Sequence, residues 1–158
     1  MAAIRLIEPD YTSLAYIACY MRQADQDEIY NCIGHRNPFL LAGAALDAAR
    51  MGSAVVAVAG SQPVAVLGVQ PAHTNICRAF AFGTNDFPRV ALSLTRYALT
   101  VLRPSLIRAG YHRIECESHH SHIDAHRWLE RLGFVREGVK RKYGSDGSDY
   151  YQYAAVYD

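Results

Sequence analysis

The stretch ECESHHSHIDAHRWLERLGF, residues 115–134, decides the fold of this chain. At its start, charged residues at 113, 115 and 117 alternate with apolar residues at 114 and 116, which is the period of a β-strand. Further on, apolar residues recur at helical spacing and are followed by a glycine that suits a helix end: Ala125, Trp128, Leu129, Leu132 and then Gly133. The stretch therefore predicts a strand over 111–118 that leads directly into a helix ending at 132.

Four of the seven histidines lie at this junction: His119, His120, His122 and His126. His122 and His126 are four residues apart, a common spacing for two metal ligands on a helix, with Cys116, His119 and His120 as the nearest further ligands. If the strand persists, however, His119 and His120 point to opposite sides, and no second ligand pair occurs at a characteristic spacing. Ser121 and Asp124 form a capping-box-like helix start with Ser121 at the N-cap. We favour an ordinary strand-to-helix junction without metal; a role for His119 or His122 as a base, or in orienting an acceptor, stays open.

On both sides of this junction the sequence predicts a mixed α+β domain. An N-terminal strand (3–7) precedes two or three helices (from 11, through 22–32, and 39–52), and two strands (53–60 and 63–70) then form a hairpin. A third strand (75–83) is joined to strand 111–118 by a helix (89–102) that Pro104 ends or kinks. A crossover of this length can connect parallel neighbours. After the helix that follows, the segments 134–144 and 149–157 form a terminal hairpin around SDGS.

Composition is consistent with one domain over residues 1–158 and excludes some functions. The chain has 158 residues, of which 51% are hydrophobic, and a formal net charge of +1. Basic and acidic residues are well mixed, so there is no basic stripe for nucleic acid. No apolar run is long enough to span a bilayer, and the N-terminus lacks a secretory pattern, so we expect a cytoplasmic protein that does not act at a membrane. The four cysteines are unevenly spaced, which indicates reduced and mostly buried thiols.

The segment HIDAHRWLERLGFVREGVKRKYGSDGSDYYQYA, residues 122–154, resembles the closing segment of the GNAT family of acetyl-CoA-dependent N-acetyltransferases. The shared features are the helix start, the Leu-Gly-Phe helix end, the EG pair and a hairpin that ends in Tyr-Ala. IRLIEPDYTSL (4–14) is similar to a GNAT first strand and helix. Within the family, MRQADQDEI (21–29) and the glycine-poor middle look most like GNAT-like proteins of tailed bacteriophages. The order of elements matches over nearly the whole chain, and the specific motif over about its last 45 residues.

The resemblance implies that strands 75–83 and 111–118 splay apart and that acetyl-CoA, as a co-substrate, lies in the opening. Its pyrophosphate would sit at the start of the next helix, where free N–H groups and the helix dipole attract anions. The residues implied to bind it are Phe80, Ala81, Phe82, Gly83, Thr84 and Arg89. GTNDFPRVAL (83–92) lacks the family's paired glycines, however, and Pro88 removes one amide donor. Two interpretations of this segment remain open. It is either a divergent phosphate loop in which Arg89 supplies the charge, or a capped helix start that no longer binds coenzyme A.

Catalysis in this family needs a base for the acceptor ammonium and often a tyrosine acid for the leaving thiolate. The tyrosine position falls at Leu129, and the asparagine of the helix start falls at His122. The candidate catalytic residues are Glu28, Glu117, His119 and His122. We interpret Asp25 and Glu28 as part of a solvated helix face with Arg22. We expect Glu115 and Glu117 to form a structural ion pair with Arg113, unless burial raises the pKa of one of these carboxyls into a range useful for proton transfer.

Two functions follow from the resemblance. The first is an acetyl-CoA-dependent N-acetyltransferase that acts on an amine of a protein or small molecule. The second is a catalytically degenerate phage protein that serves as a virion component or host-interaction module, located in the virion or the host cytoplasm. Further candidate partners are a phage or host protein and a second copy of the chain. The loop 83–89 discriminates between the two functions, because only the first requires it to bind the pyrophosphate.

Overall fold

A computed structural model describes residues 2–158 as one seven-stranded sheet flanked by helices. The strands lie in the order β1-β2-β3-β4-β5-β7-β6, and every neighbouring pair is antiparallel except β4 and β5. In chain order the elements are β1 (Ile4–Ile7), α1 (Tyr11–Cys19), α2 (Gln23–Ile33), α3 (Pro38–Met51), β2 (Ser53–Ala59), β3 (Gln62–His73), β4 (Ile76–Gly83), α4 (Phe87–Tyr97), a π-helical turn (Ala98–Leu102), α5 (Arg103–Arg108), β5 (Arg113–His119), α6 (Ile123–Arg131), β6 (Val135–Lys140) and β7 (Tyr150–Val156). The predicted α+β class and the parallel crossover are confirmed.

The ends of the first three helices follow from local chemistry. Asp10 caps α1 by accepting a hydrogen bond from the Ser13 N–H at 2.8 Å. Gly34, with φ of 77°, ends α2 in the left-handed conformation that glycine adopts without strain. Asn37 then caps α3, and Pro38 occupies its first position, where no N–H is needed. These caps separate α1, α2 and α3 into distinct helices.

The two faces of the sheet carry different helices. Helices α1 and α3 pack on one face, where Leu14, Ile17 and Leu41 belong to the same buried core as Val56 and Val66. Helix α4 covers the other face over β2 and β3, and α5 and α6 extend this layer over β5 and β7. Residues of β2 alternate between the two cores, as the strand period requires. In the described part of the chain, none of the helices has the length and apolar character to cross a membrane.

Two local predictions differ from the structure, and the condition of a third is not met. Ser121 does not cap α6, because its hydroxyl lies 2.8 Å from Nδ1 of His119 and the N-cap position falls on His122. The expectation that His119 and His120 point to opposite sides required a strand that continues through both residues. Since β5 ends at His119, that condition is not met, and the two rings stack with centroids 4.6 Å apart. All four cysteines are free, but only Cys77 and Cys116 are buried; Cys19 and Cys32 are exposed.

The predicted hairpin forms, but β6 ends at Lys140 and β7 begins at Tyr150, so the connection covers residues 141–149 rather than only SDGS (145–148). It is held against α2 rather than extended into solvent. The Ser145 N–H donates to the Asn31 carbonyl at 2.8 Å, and the Tyr150 hydroxyl donates to the Glu28 carbonyl at 2.6 Å. This contact joins the C-terminal hairpin to the helix that carries Asp25 and Glu28.

Candidate active site

Strands β4 and β5 pair only at their beginnings. The parallel register covers Ile76–Arg78 against Arg113–Glu115, after which β4 continues to Gly83 and β5 to His119 without pairing to each other. Ala79, Phe80 and Ala81 line one side of the resulting opening, and Cys116, Glu117 and Ser118 line the other. The predicted splay between these two strands is therefore confirmed.

Helix α2 bridges the mouth of this opening with two carboxylates one turn apart. Asp25 Oδ2 accepts a hydrogen bond from the Gly83 N–H, at the end of β4, at 2.9 Å. Glu28 Oε1 accepts one from the His119 N–H, at the end of β5, at 2.8 Å. Gly83 and His119 each pair with a strand on one side, but β4 and β5 no longer pair with each other at these residues. The two carboxylates therefore bind strand-end amides that the splay leaves without a strand partner, and a buried amide without any partner is costly. The same helical turn thus ties together the two strand ends that the splay separates.

Asp25 is the most buried charged group of the site, with 1% of its surface exposed. Besides the Gly83 amide, it binds Nε of Arg22 at 2.8 Å and Nε2 of His122 at 2.7 Å. Burial disfavours the charged form of His122, but the hydrogen bond to Asp25 and the negative charges of Glu28 and Asp25 outweigh it and raise the pKa of His122. The interpretation of Asp25 and Glu28 as a solvated face is wrong, although the contact with Arg22 is present.

Glu28 lines the cleft beside this pair, and burial raises its pKa. The charge of His122 and the hydrogen bond from the His119 N–H partly oppose the shift. The Ser118 hydroxyl is close enough to lower the Glu28 pKa slightly, yet it is buried and makes no hydrogen bond of normal geometry. A cleft-lining carboxyl whose pKa burial raises above its ordinary value is suited to proton transfer.

One ligand atom each from Asp25, Glu28 and His122 lie within 4.8 Å of one another, close enough to suggest a metal site. Both oxygens of Asp25, Nε2 of His122 and Oε1 of Glu28 are, however, already engaged in hydrogen bonds. His126 does not join His122 as a ligand pair, because its Nε2 donates to the His119 carbonyl at 2.9 Å. The arrangement fits a hydrogen-bonded charge cluster better than a cation site.

The predicted phosphate loop has most of its amides occupied. The Thr84 N–H donates to the Val64 carbonyl at 2.8 Å, and the Asp86 N–H lies 3.3 Å from Oγ1 of Thr84. The N–H groups of Phe87 and Arg89 donate to carbonyls within the loop at 3.0 and 2.9 Å. Since the Gly83 amide binds Asp25 and Pro88 has none, few donors remain for a phosphate at this helix start.

Gly83 is required here by side-chain packing. A Cβ on Gly83 would lie 2.6 Å from Cδ2 of Phe87. The Arg22 guanidinium lies over the face of the Phe87 ring, with Cζ 4.2 Å from the ring centroid, and Trp128 packs edge-on against Phe87 with centroids 5.2 Å apart. The indole N–H of Trp128 donates to Oγ1 of Thr95 at 2.8 Å, which links α6 to α4. Aromatic packing fills the space beside the loop.

The other candidate residues lie at different distances from the cleft. Phe80 and Ala81 line it, whereas Phe82 is buried in the core under α1 and α3. Arg89 is half exposed and lies 3.7 Å from Asp86. Glu117 lines the cleft but is paired with Nζ of Lys140 at 2.6 Å.

The remaining predictions concern β5 and α6. The expected ion pair of Arg113 with Glu115 is confirmed at 2.8 Å, and Arg113 also binds Glu137. The expected pairing of Arg113 with Glu117 is wrong, because Glu117 binds Lys140 and Arg78. His119 ends β5, and burial lowers its pKa. Leu129 lines the cleft and cannot donate a proton. Asp25 has a larger part in the cluster than its polar helical context indicated, because its partners Gly83 and His122 are distant in sequence.

The architecture is the GNAT acetyltransferase fold: an open, mostly antiparallel sheet with one parallel pair that splays. The sequence matches no protein-family model and no curated protein sequence. Solved structures with this fold are similar over almost the whole chain. Ard1 from Thermoplasma volcanium is 18% identical with a TM-score of 0.75, covering 99% of each chain.

Two further solved structures have the same fold. The ribosomal-protein-S18-alanine N-acetyltransferase from Escherichia coli is 20% identical with a TM-score of 0.66, covering 98% of this chain and 94% of its own. A GNAT-family acetyltransferase from Bacillus anthracis is 14% identical with a TM-score of 0.71, covering 99% and 96%. At these identities the likeness concerns the fold.

Proposed function

We propose that this chain is an acetyl-CoA-dependent N-acetyltransferase that acts on an amine of a protein or small molecule. The observation that carries the proposal is the splayed opening between β4 and β5, with Glu28 and the Asp25–His122 pair at its mouth. An opening between strands exposes backbone groups that an extended thioester substrate can bind. A carboxyl with a raised pKa beside that opening supplies the base that the reaction needs.

Glu28 is the proposed general base. It removes a proton from the acceptor ammonium, so that the neutral amine can attack the thioester carbonyl carbon. Glu117 is a weaker candidate because Lys140 and Arg78 neutralise it, at 2.6 and 3.5 Å. His119 is a further candidate whose neutral form is favoured by burial, although its Nδ1 already lies 2.8 Å from the Ser121 hydroxyl.

His122 and Asp25 have a proposed positioning role. Asp25 orients the imidazole through Nε2, and the resulting positive charge lies near Glu28. When the Glu28 carboxyl ionises, this charge stabilises the carboxylate. The departing thiolate takes its proton from water, because Leu129 occupies the position implied for the acid tyrosine.

The protein offers better contacts for the pantetheine arm of acetyl-CoA than for its pyrophosphate. When bound, acetyl-CoA supplies the activated acetyl group. Phe80 and Ala81 and the unpaired edges of β4 and β5 would hold its pantetheine arm. The loop 83–89 offers few free amides for the pyrophosphate, so the half-exposed guanidinium of Arg89 is the main charge available there.

The test measures coenzyme binding and transfer separately. Acetyl-CoA at a hundred times its dissociation constant should stabilise the native protein by about 2.7 kcal/mol in a thermal-shift assay. Arg89→Glu should abolish that shift. Glu28→Gln should keep the shift but reduce transfer, followed as thiol release with a panel of amines, by roughly a hundredfold or more. Asp27→Asn, on the same helix, is the matched control and should retain activity.

A second candidate function is a catalytically degenerate protein of a tailed bacteriophage that acts in the virion or on a host protein. The occupied amides of loop 83–89 and the leucine at position 129 favour it. The absence of any shift with millimolar acetyl-CoA or coenzyme A, together with no thiol release, would support this function and contradict the first.

A further inference from the structure

The cleft continues from Glu28 and His122 to a second end with a different character. The whole cleft has a volume of about 360 Å³ and runs between the α4–α5 segment and α6, over β4 and β5. Away from the carboxylates its walls are apolar. The wall residues are Leu99, Leu102, Ile114, Leu129, Leu132 and Phe134.

A π-helical turn shapes one of these walls. Residues Ala98–Leu102 form it directly before α5, and Ala98, Leu99 and Leu102 face the cleft. Pro104 follows, and a proline inside a helix removes an N–H and crowds the carbonyl four residues earlier. The wider turn absorbs that conflict, so the helical path continues to Arg108 instead of ending at Pro104. π-Helical turns are rare in proteins overall, but a large share of them occur at functional sites.

Arg103 brings a positive charge to this apolar end. It lines the cleft, and across residues 2–158 no carboxylate oxygen lies within 4.0 Å of its guanidinium nitrogens. The other two arginines of the cleft are compensated, Arg22 by Asp25 and Arg78 by Glu115 and Glu117. Tyr157 shares this end, where burial raises its pKa; the charge of Arg103 and a hydrogen bond from its guanidinium partly offset the rise.

We propose that this end of the cleft is a binding site for an aliphatic carboxylate, with the carboxylate on Arg103 and the alkyl chain along the apolar walls. Charge complementarity selects a carboxylate as the head group of the ligand. The planar guanidinium of Arg103 presents donors that match a carboxylate, and no acidic residue of the described chain binds them. The walls select the chain, because burying methylene groups against leucine and phenylalanine side chains removes apolar surface from water.

A pantetheine arm fits this end less well. It carries two amide groups that need hydrogen-bond partners when buried. Arg103 and Tyr157 are the polar side chains at this end, whereas unpaired strand backbone is found in the opening between β4 and β5. The carboxylate site is therefore distinct in chemistry from the opening in which the proposed acetyl donor lies.

The test is isothermal titration calorimetry of the whole protein with decanoate in the absence of coenzyme A. Arg103→Gln should weaken decanoate binding about tenfold or more, the factor that corresponds to about 1.4 kcal/mol. Arg108→Gln, a substitution of the same type on the exposed side of α5, is the matched control and should bind as the wild type does. Arg103→Lys keeps the charge and should recover part of the lost affinity.

Two ligand series examine the head and the chain separately. Decanol, which lacks the charge, should bind more weakly than decanoate to the wild type and equally to the wild type and Arg103→Gln. From butanoate through hexanoate to octanoate, the affinity should rise by up to about fourfold per methylene.

Three results would overturn the proposal. One is equal decanoate affinity in the wild type and Arg103→Gln. Another is a flat chain-length series. The third is an Arg103→Gln variant that loses affinity for coenzyme A but not for decanoate, since the anion at Arg103 would then belong to the coenzyme. Because the titrations contain no acetyl-CoA, a failure of the proposed acetyl transfer leaves them interpretable.

Discussion

Removing the Asp25 carboxylate should destabilise the fold more than almost any other single polar substitution. Asp25→Ala leaves the Gly83 N–H and Nε2 of His122 without their acceptor in a region where both residues are closed to water. An unsatisfied buried donor costs about 1–3 kcal/mol, and removing one partner of a buried ion pair costs about 3–5 kcal/mol. The Arg22 side chain is 19% exposed and can regain some hydration. We therefore expect the free energy of unfolding to fall by about 3–5 kcal/mol.

The measurement is urea denaturation at neutral pH, supported by a thermal scan. For a chain of this size the loss corresponds to a melting temperature lower by roughly 10 °C. Asp27→Ala is the matched control. Asp27 lies on the same helix and its carboxylate accepts an exposed hydrogen bond from Gln23, so the loss of this carboxylate should change stability by less than about 0.5 kcal/mol.

A double-mutant cycle separates the Asp25–His122 bond from the rest. Asp25→Ala and His122→Ala together should cost less than the sum of the two single substitutions, with a coupling of about 1–3 kcal/mol. A loss below about 1 kcal/mol for Asp25→Ala, or strict additivity in the cycle, would refute the view that this carboxylate links the strand ends to α6.

Two further predictions concern packing and protonation. Gly83→Ala should lower the free energy of unfolding, measured by urea denaturation, by about 1–3 kcal/mol because the new Cβ would overlap Phe87. Gly43→Ala is the control: no atom lies within 4 Å of a Cβ at this position in helix α3, so the substitution should be neutral or stabilising. Equal effects of the two substitutions would contradict the packing described at Gly83. In an NMR titration His122 should titrate above 6.5 and His126, whose pKa burial lowers, below 6.5; the reverse order would show that the charge cluster is wrongly described. Because the folded-state pKa of His122 is raised, its charge stabilises the fold below pH 6.5, and that contribution should be lost as the pH rises through the folded-state value, so His122→Gln should flatten the stability profile in that range.

Most of the secondary structure could be predicted because its causes are local. Asn37 and Pro38 define the start of α3, and Gly133, with φ of 91°, follows α6 where the apolar stripe stops. The alternation along β5 and the length of the crossover before it were enough to predict a parallel neighbour. The splay of β4 from β5 came from the resemblance, since no local pattern records where two strands stop pairing.

The site was less predictable because its contacts are long-range. His122 looked like a flanking helix residue, yet it is buried on Asp25, 97 positions away in sequence. Ser121 had the sequence pattern of a helix cap, but its hydroxyl contacts the ring of His119 instead of the helix amides. Pro104 was expected to end or kink its helix. The helix does not end there: a π-helical turn distorts it before Pro104, and α5 continues to Arg108, which places Arg103 at the cleft.

The sequence by itself determined which segments are helices and strands, because capping, proline geometry and apolar periodicity act over a few residues. Only the tertiary structure decided what the polar residues do. The sequence predicted that Asp25 and Glu28 lie on a solvated helix face, but in the folded chain the two strand ends of the splay supply the amides that hydrogen-bond to them. The density of histidines in residues 115–134 suggested ligands, but folding gave His122 and His126 separate partners, a carboxylate and a backbone carbonyl. Protonation and binding depend on such distant neighbours, which local patterns do not specify.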